Sequence, residues 1–136
     1  MNVTQTTAYA TNGGGSLVAV SLGTPVPLPN NQILPPGITV DGTNTVFTVA
    51  TPGRYRISYT INTTASLLLG AGIYVNAALV PASNIPVSLI NLSTYSAEIL
   101  VDLLANSTVS LYLFGANVNA SLVSGAGASL MIVRLS

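Results

Sequence analysis

Few side chains in this sequence can carry out acid–base or metal chemistry. Among its 136 residues there are 3 Lys or Arg, 3 Asp or Glu, and no His or Cys. Acid–base and nucleophilic catalysis need such groups in pairs, and zinc and most transition metals are held by His or Cys. We therefore expect a protein that is not an enzyme, and we assign no catalytic residue, no metal site and no cofactor.

Charge and hydropathy also bear on the partners of the chain. The net charge is zero and Lys is absent, so the sequence lacks a basic surface for phosphates and we expect no nucleic-acid partner. The densest apolar stretch, Leu67–Val75, is interrupted by Gly70 and Gly72 and is far shorter than the about 20 residues of a spanning helix. We expect no membrane insertion. The N-terminus has no positive segment followed by an apolar one, so we also expect no signal peptide.

The low charge predicts self-association. Charged residues make up 4% of the chain and hydrophobic residues 49%, whereas about 25% of an ordinary soluble domain is charged. Neutral Asn, Thr, Ser and Gly must then cover the outer surface, because charge repulsion cannot keep copies of the chain apart. We expect part of the apolar surface to be buried in an oligomer.

The elements that position these residues are predicted to be strands. Clusters of Gly, Pro and Asn separate short runs rich in Val, Ile, Thr and Tyr, which is typical of β structure. The nearest helical alternative, Glu98–Leu104, fits a strand equally well. The predicted strands are Leu17–Leu22, Ile38–Val40, Thr45–Val49, Arg54–Ile61, Leu67–Val75, Tyr95–Leu103, Thr108–Phe114 and Ser129–Leu135, with weaker candidates at Val87–Leu92 and Asn117–Val123. We predict an all-β jelly-roll sandwich of about eight to ten strands and no helix.

One predicted strand alternates strictly and resembles a known signature. Phe47 is followed after five residues by Gly53, and Tyr55, Ile57 and Tyr59 then occupy every second position. This spacing resembles the signature of complement-type and TNF-like trimeric head domains, with Ile57 in place of a Phe. The four residues Phe47, Tyr55, Ile57 and Tyr59 are predicted to lie in the core.

The chain is also similar to the C-terminal domain of BclA-type spore-surface glycoproteins. The shared features are the Pro25–Pro27 stretch, the Gly53–Ile61 strand, the Asn62–Thr64 tail and the Ser129–Leu135 strand. The resemblance covers roughly residues 16–136. It implies a TNF-like jelly-roll domain that forms a homotrimer, with the charged strands together in the sheet that faces the trimer axis.

That implied arrangement leaves two interpretations of the charges open. They are either solvated charges on strand faces or an ion network within or between subunits. In the second case, we expect Arg54 or Arg56 within salt-bridge distance of Glu98 or Asp102. The residues of this predicted interface or ion network are Arg54, Arg56, Glu98, Asp102 and Arg134.

Residues 1–15 are predicted to form a flexible N-terminal arm. Met1–Thr11 is polar and rich in Thr, and the glycines Gly13–Gly15 are typical of a hinge. Two interpretations stay open for this arm. It is either a disordered tail or an extended segment that docks on the next trimer head-to-tail and builds a filament.

The resemblance implies a structural protein of the spore surface. On this interpretation, the chain is a trimeric subunit of the exosporium or of surface fibres. Its partners are copies of itself and other spore-surface proteins. The alternative is a ligand-binding head whose loops at the trimer apex recognise a protein or a glycan. Self-assembly of the purified chain would favour the first function, and a specific ligand without assembly would favour the second.

Overall fold

Every long segment of regular structure in the described part of this protein is a β-strand. The computed structural model describes residues 5–19, 22–87 and 92–136. This part of the chain contains thirteen strands and no α-helix. The strands are β1 (Thr7–Asn12), β2 (Gly15–Ala19), β3 (Thr24–Pro25), β4 (Asn30–Ile33), β5 (Ile38–Val40), β6 (Phe47–Val49), β7 (Gly53–Leu67), β8 (Gly70–Val75), β9 (Ala78–Leu79), β10 (Leu92–Leu103), β11 (Ser107–Phe114), β12 (Val118–Leu122) and β13 (Ala128–Arg134).

The strands form two antiparallel sheets. The first, called the long sheet below, has the order β2-β12-β7-β13-β1-β4. β10 also belongs to it, because it pairs with β7 along the edge opposite to β13. The second has the order β5-β6-β11-β8-β9, and β3 pairs with β11. This confirms the predicted all-β jelly-roll sandwich. There are more strands than the eight to ten predicted, because β3, β4 and β9 are too short to show a pattern and because β1 was expected to be a flexible arm.

The core lies between the two sheets and has the predicted residues at its centre. Tyr55, Ile57 and Tyr59 of β7 are each at most 3% exposed, and Phe47 of β6 is 1% exposed. Successive side chains of a strand point to opposite faces, so the alternation of β7 buries its aromatic and aliphatic side chains.

The buried tyrosines keep their hydroxyls paired. The hydroxyl of Tyr55 donates to the carbonyl of Thr51 at 2.6 Å, and that of Tyr59 donates to the carbonyl of Ser83 at 2.7 Å. A buried hydroxyl without a partner would cost free energy, so these bonds allow a phenol to occupy an otherwise apolar core.

The N-terminal segment differs from the expected flexible arm. Residues 7–12 form β1, which pairs with β13 along its whole length and with β4 on its other edge. Ala8 and Ala10 are 2% and 1% exposed and belong to the core. The expected division into an arm over 1–15 and a domain over 16–136 is therefore wrong for these residues. The prediction failed because the apolar side chains that this segment buries are small alanines. They add so little apolar surface that the sequence looks too polar to fold.

The apolar run Leu67–Val75 also differs from its prediction, because it contains parts of two strands. β7 ends at Leu67 in the long sheet, and β8 begins at Gly70 in the second sheet. A Cβ atom on Gly70 would clash with the ring of Phe114 and lie 2.8 Å from the carbonyl oxygen of Ile85. The crossover thus needs a glycine at a tight contact, which a pattern of apolar residues does not reveal.

Two further predicted strands fall partly outside the described residues. The predicted strand Leu17–Leu22 corresponds to β2, which covers Gly15–Ala19, and residues 20–21 are not described. The weaker candidate Val87–Leu92 includes residues 88–91, which are also not described.

Deletion of residues 1–12 tests the place of β1. The deletion removes a strand from between β13 and β4, so we expect a much lower urea midpoint, because two ladders of backbone hydrogen bonds and four buried side chains are lost. Circular dichroism during urea denaturation measures the midpoint. The control is deletion of residues 1–4, which keeps β1. Equal midpoints for the full chain and the longer deletion would contradict this placement.

A second prediction concerns stability in alkali. Burial raises the pKa of Tyr59 from 10.0 to about 12, so the folded protein keeps this proton at a pH where the unfolded chain has lost it. The resulting stabilisation is complete below about pH 10 and is lost as the pH rises to about 12, in total roughly 2–3 kcal/mol. Tyr59→Phe should therefore flatten the decline of the urea midpoint in this range. Tyr9→Phe is the control, and equal declines for both variants would refute the prediction.

Candidate assembly surface

The charged strands meet on the solvent side of the long sheet. In the β7–β10 register, Asp102 lies opposite Arg54, Leu100 opposite Arg56, and Glu98 opposite Ser58. Because β7 also pairs with β13, and β13 with β1, these strands share one continuous face. We call it the outer face, and it comprises Arg54, Arg56, Ser58 and Thr60 of β7, Glu98, Leu100 and Asp102 of β10, Ser129 and Met131 of β13, and Thr7 and Tyr9 of β1.

One ion pair of the predicted kind forms on this face within the chain. The Nε of Arg54 donates to Oδ1 of Asp102 at 2.9 Å, and the Nη2 donates to Oδ2 at 3.2 Å. The hydrogen bond from Arg54 holds the pKa of Asp102 below its ordinary value. Both side chains are well exposed, at 59% and 70%, so water competes for each partner and the pair adds little to stability.

The other two charges of the outer face stand apart from this pair. Arg56 and Glu98 are both exposed, and the described part of the chain offers neither of them a salt-bridge partner. Leu100, which lies opposite Arg56, is 64% exposed. The face therefore presents a positive charge, an apolar side chain and a negative charge side by side.

The remaining charged residues lie away from the outer face. Arg134 pairs in register with Tyr55, so it lies on the core side of the sheet at its end, where its Nε donates to the carbonyl of Ser136 at 2.9 Å. It is thus not brought to the other four predicted network residues. Asp41 accepts hydrogen bonds from the backbone N–H groups of Thr45 and Val46 at 3.0 and 3.2 Å, which closes a loop.

A polar pocket opens on the same outer face, about 20 Å along β7 from Arg54 at the usual rise of a strand. Its volume is about 310 Å³, and its walls include Tyr9, Thr60, Asn62 and Ser129. The amide of Asn62 is held by a hydrogen bond to the carbonyl of Ala126 at 2.9 Å. The lining has hydroxyls, amides and an aromatic ring but no charged group, so it suits neutral polar partners.

Sequence reasoning missed this pocket, and no local signal could have revealed it. Its walls come from β1, β4, β7, β13 and the segment before β13, most of which are far apart in the chain. Alternation did place Leu100 on the polar side of β10. In the structure this side of β10 belongs to the outer face, where Leu100 is 64% exposed.

Neither a metal-binding cluster nor a membrane-spanning helix is found in the described part of the chain. Residues 5–19, 22–87 and 92–136 contain no group of three or more His, Cys, Asp or Glu that could hold a metal ion. In the same part of the chain, no helix has the length and apolar character needed to cross a membrane. The arrangement on the outer face can form hydrogen bonds, ion pairs and apolar contacts.

Comparisons with known proteins agree with this fold. The family model described as the BclA C-terminal domain matches residues 8–136. Similar solved structures include murine APRIL at pH 8.5 (TM-score 0.68, 14% identity, covering 95% of this chain and 98% of that one). A second is Eiger TNF from S. frugiperda (TM-score 0.65, 12% identity, covering 96% of this chain and 92% of that one). A third is rabbit GITRL (TM-score 0.62, 11% identity, covering 96% of this chain and 93% of that one). At such identities the likeness concerns the fold alone. Curated protein sequences gave no match.

The Arg54–Asp102 pair can be tested by titration. We expect the carboxyl of Asp102 to titrate at a lower pH in the native protein than in Arg54→Gln, because the guanidinium favours the charged carboxylate. Carbon-detected NMR of the side-chain carboxyl measures this. Neither Arg54→Gln nor Asp102→Asn should change the melting temperature appreciably, because the pair is exposed. By contrast, Tyr59→Ala should lower the free energy of unfolding by about 3–5 kcal/mol, because Tyr59 is buried in the core. An unshifted titration in Arg54→Gln would show that the pair does not form in solution.

Proposed function

Because the chain belongs to the BclA C-terminal domain family, we propose that it is a structural, non-enzymatic protein of the spore surface. The observation that carries this proposal is the family match over residues 8–136, which is nearly the whole chain. In this role the domain is the trimeric jelly-roll subunit of the exosporium or of its surface fibres. Its partners are copies of itself and other spore-surface proteins.

Features of the outer face support association into a trimer. Leu100 on β10 and Leu104 just after it are 64% and 78% exposed. β10 is also a long edge strand of 12 residues that pairs only with β7 within the described chain. Edges of this length are a liability that proteins usually cover. A neighbouring copy seated against the outer face would bury these leucines and cover this edge.

A fibre needs a second contact, between trimers. A head-to-tail contact that does not close on itself gives an open filament, and one of the two interpretations of the N-terminal segment made it the connector. Residues 7–12 do not suit this role, because both edges of β1 are already hydrogen-bonded to β13 and β4. A connecting segment of this kind would therefore have to use residues before Thr7.

The polar pocket favours a second candidate function, a ligand-binding head for a glycan or a protein. The hydroxyls and the ring of Tyr9, with Thr60 and Ser129, suit a neutral ligand rich in hydroxyl groups. The pocket lies on the outer face rather than on apical loops. The pocket and the exposed Leu100 lie on different parts of this face, so a contact through Leu100 and a ligand in the pocket are tested separately.

Native mass measurement tests the trimer, and glycan binding tests the second function. We expect the purified chain to be a stable trimer at micromolar concentration and Leu100→Asp to be a folded monomer, because the new carboxylate would be buried without a partner. Thr39→Asp on β5 is the matched control, since Thr39 is exposed in the other sheet. Circular dichroism shows that each variant is folded. A monomeric native chain that binds a neutral glycan, and loses it in Tyr9→Ala, would support the second function instead.

A further inference from the structure

Two opposite charges on the outer face lack a salt-bridge partner in the described part of the chain, whereas the other charged side chains have partners. Arg54 pairs with Asp102, Arg134 donates to a carbonyl at the C-terminus, and Asp41 accepts backbone hydrogen bonds in its loop. Arg56 and Glu98 remain, and both are exposed without a salt-bridge partner in the described part of the chain. In a protein with 3 basic and 3 acidic residues, one unpaired cation and one unpaired anion on a single face form a complementary set.

The register fixes how these two charges are arranged. Leu100 lies opposite Arg56, and Glu98 is two residues away on the same strand. Such diagonal neighbours are about 7–8 Å apart between their Cα atoms. The two side chains are thus close enough to act on one partner, and the exposed Leu100 lies beside both of them.

We propose that Arg56 of one copy pairs with Glu98 of the next copy around the trimer, with Leu100 at the centre of each contact. This inference rests on the trimer proposed above and names the residues that set its register. Each copy supplies one positive and one negative group, so a closed ring of identical copies pairs every charge and stays neutral. A contact between two different patches of the same chain, repeated until it closes, is how cyclic oligomers form.

The occupant that this patch fits best is a second copy of the chain. The patch has no net charge, and each copy presents both the positive group and the negative group that its two neighbours need, so a ring of copies pairs every charge without any property of another protein. The exposed Leu100 would exclude water from the contact, and a partly buried pair then determines which surfaces fit. Like charges brought together would disfavour other registers of the same face.

Charge reversal tests the pairing. Arg56→Glu and Glu98→Arg should each raise the concentration at which half of the trimer dissociates by more than about tenfold, because each places like charges opposite each other. The double variant Arg56→Glu/Glu98→Arg should return that concentration to near the native value, because the pair is restored with its signs exchanged. Arg134→Glu is the control, since it reverses a charge away from the outer face. Analytical ultracentrifugation gives the dissociation, and thermal melting shows that each subunit is folded.

Mixing the two single variants separates a pair between copies from a pair within one chain. If the pair joins neighbouring copies, a contact between unlike variants brings opposite charges together, whereas a contact between like variants brings like charges together. The mixture should then form more mixed trimers than random exchange gives, and native mass spectrometry resolves them. A pair within one chain would give mixed trimers at the random proportion only, which would overturn the proposal.

Two further outcomes distinguish this pairing from the trimer on which it rests. A native trimer that neither reversal weakens would overturn the pairing and leave the trimer standing. A native chain that is monomeric would overturn the trimer as well.

Discussion

The strict alternation of β7 is the constraint on which the rest of the structure depends. Its aromatic and aliphatic side is almost wholly buried, and its other side carries both arginines of the strand. A slip of one residue in its pairing would turn Arg54 and Arg56 into the core, so the register against β10 and β13 is held firmly. That register in turn places Asp102 beside Arg54 and Leu100 beside Arg56. The chemistry of the outer face thus follows from the packing of the core.

Charged residues are scarce in this protein. Where only 4% of residues are charged, solubility depends on hydroxyls and amides, and each charge that is present has more influence on which surfaces fit together. The structure uses its charges in distinct ways. Asp41 closes a loop, Arg54 and Asp102 pair across two strands, and Arg56 and Glu98 stay exposed on a face with exposed leucines.

Likeness in fold and likeness in sequence are largely separate in this protein. Solved structures at 11–14% identity share its architecture over nearly the whole chain. Such a fold is maintained by alternation and burial, which many sequences satisfy, so it does not by itself assign a ligand or a partner. The family match is more specific, and the outer face is where the properties of this particular chain differ from a generic sandwich.

The sequence by itself determined the fold class, the central strand and its buried residues, because alternation and turn residues are local signals of which side chains are buried. It also determined which residues carry charge, and the family resemblance implied that Arg54 or Arg56 would meet Glu98 or Asp102, of which the structure pairs Arg54 with Asp102. Only the tertiary structure decided that residues 7–12 are a strand of the long sheet, that Leu67–Val75 crosses between sheets, and that Arg134 lies away from the other charges. The tertiary structure alone also decided where the polar pocket lies, because its lining comes from several strands. These features arise from pairing between segments far apart in the chain, and the energy of such pairing depends on neighbours that no local pattern contains.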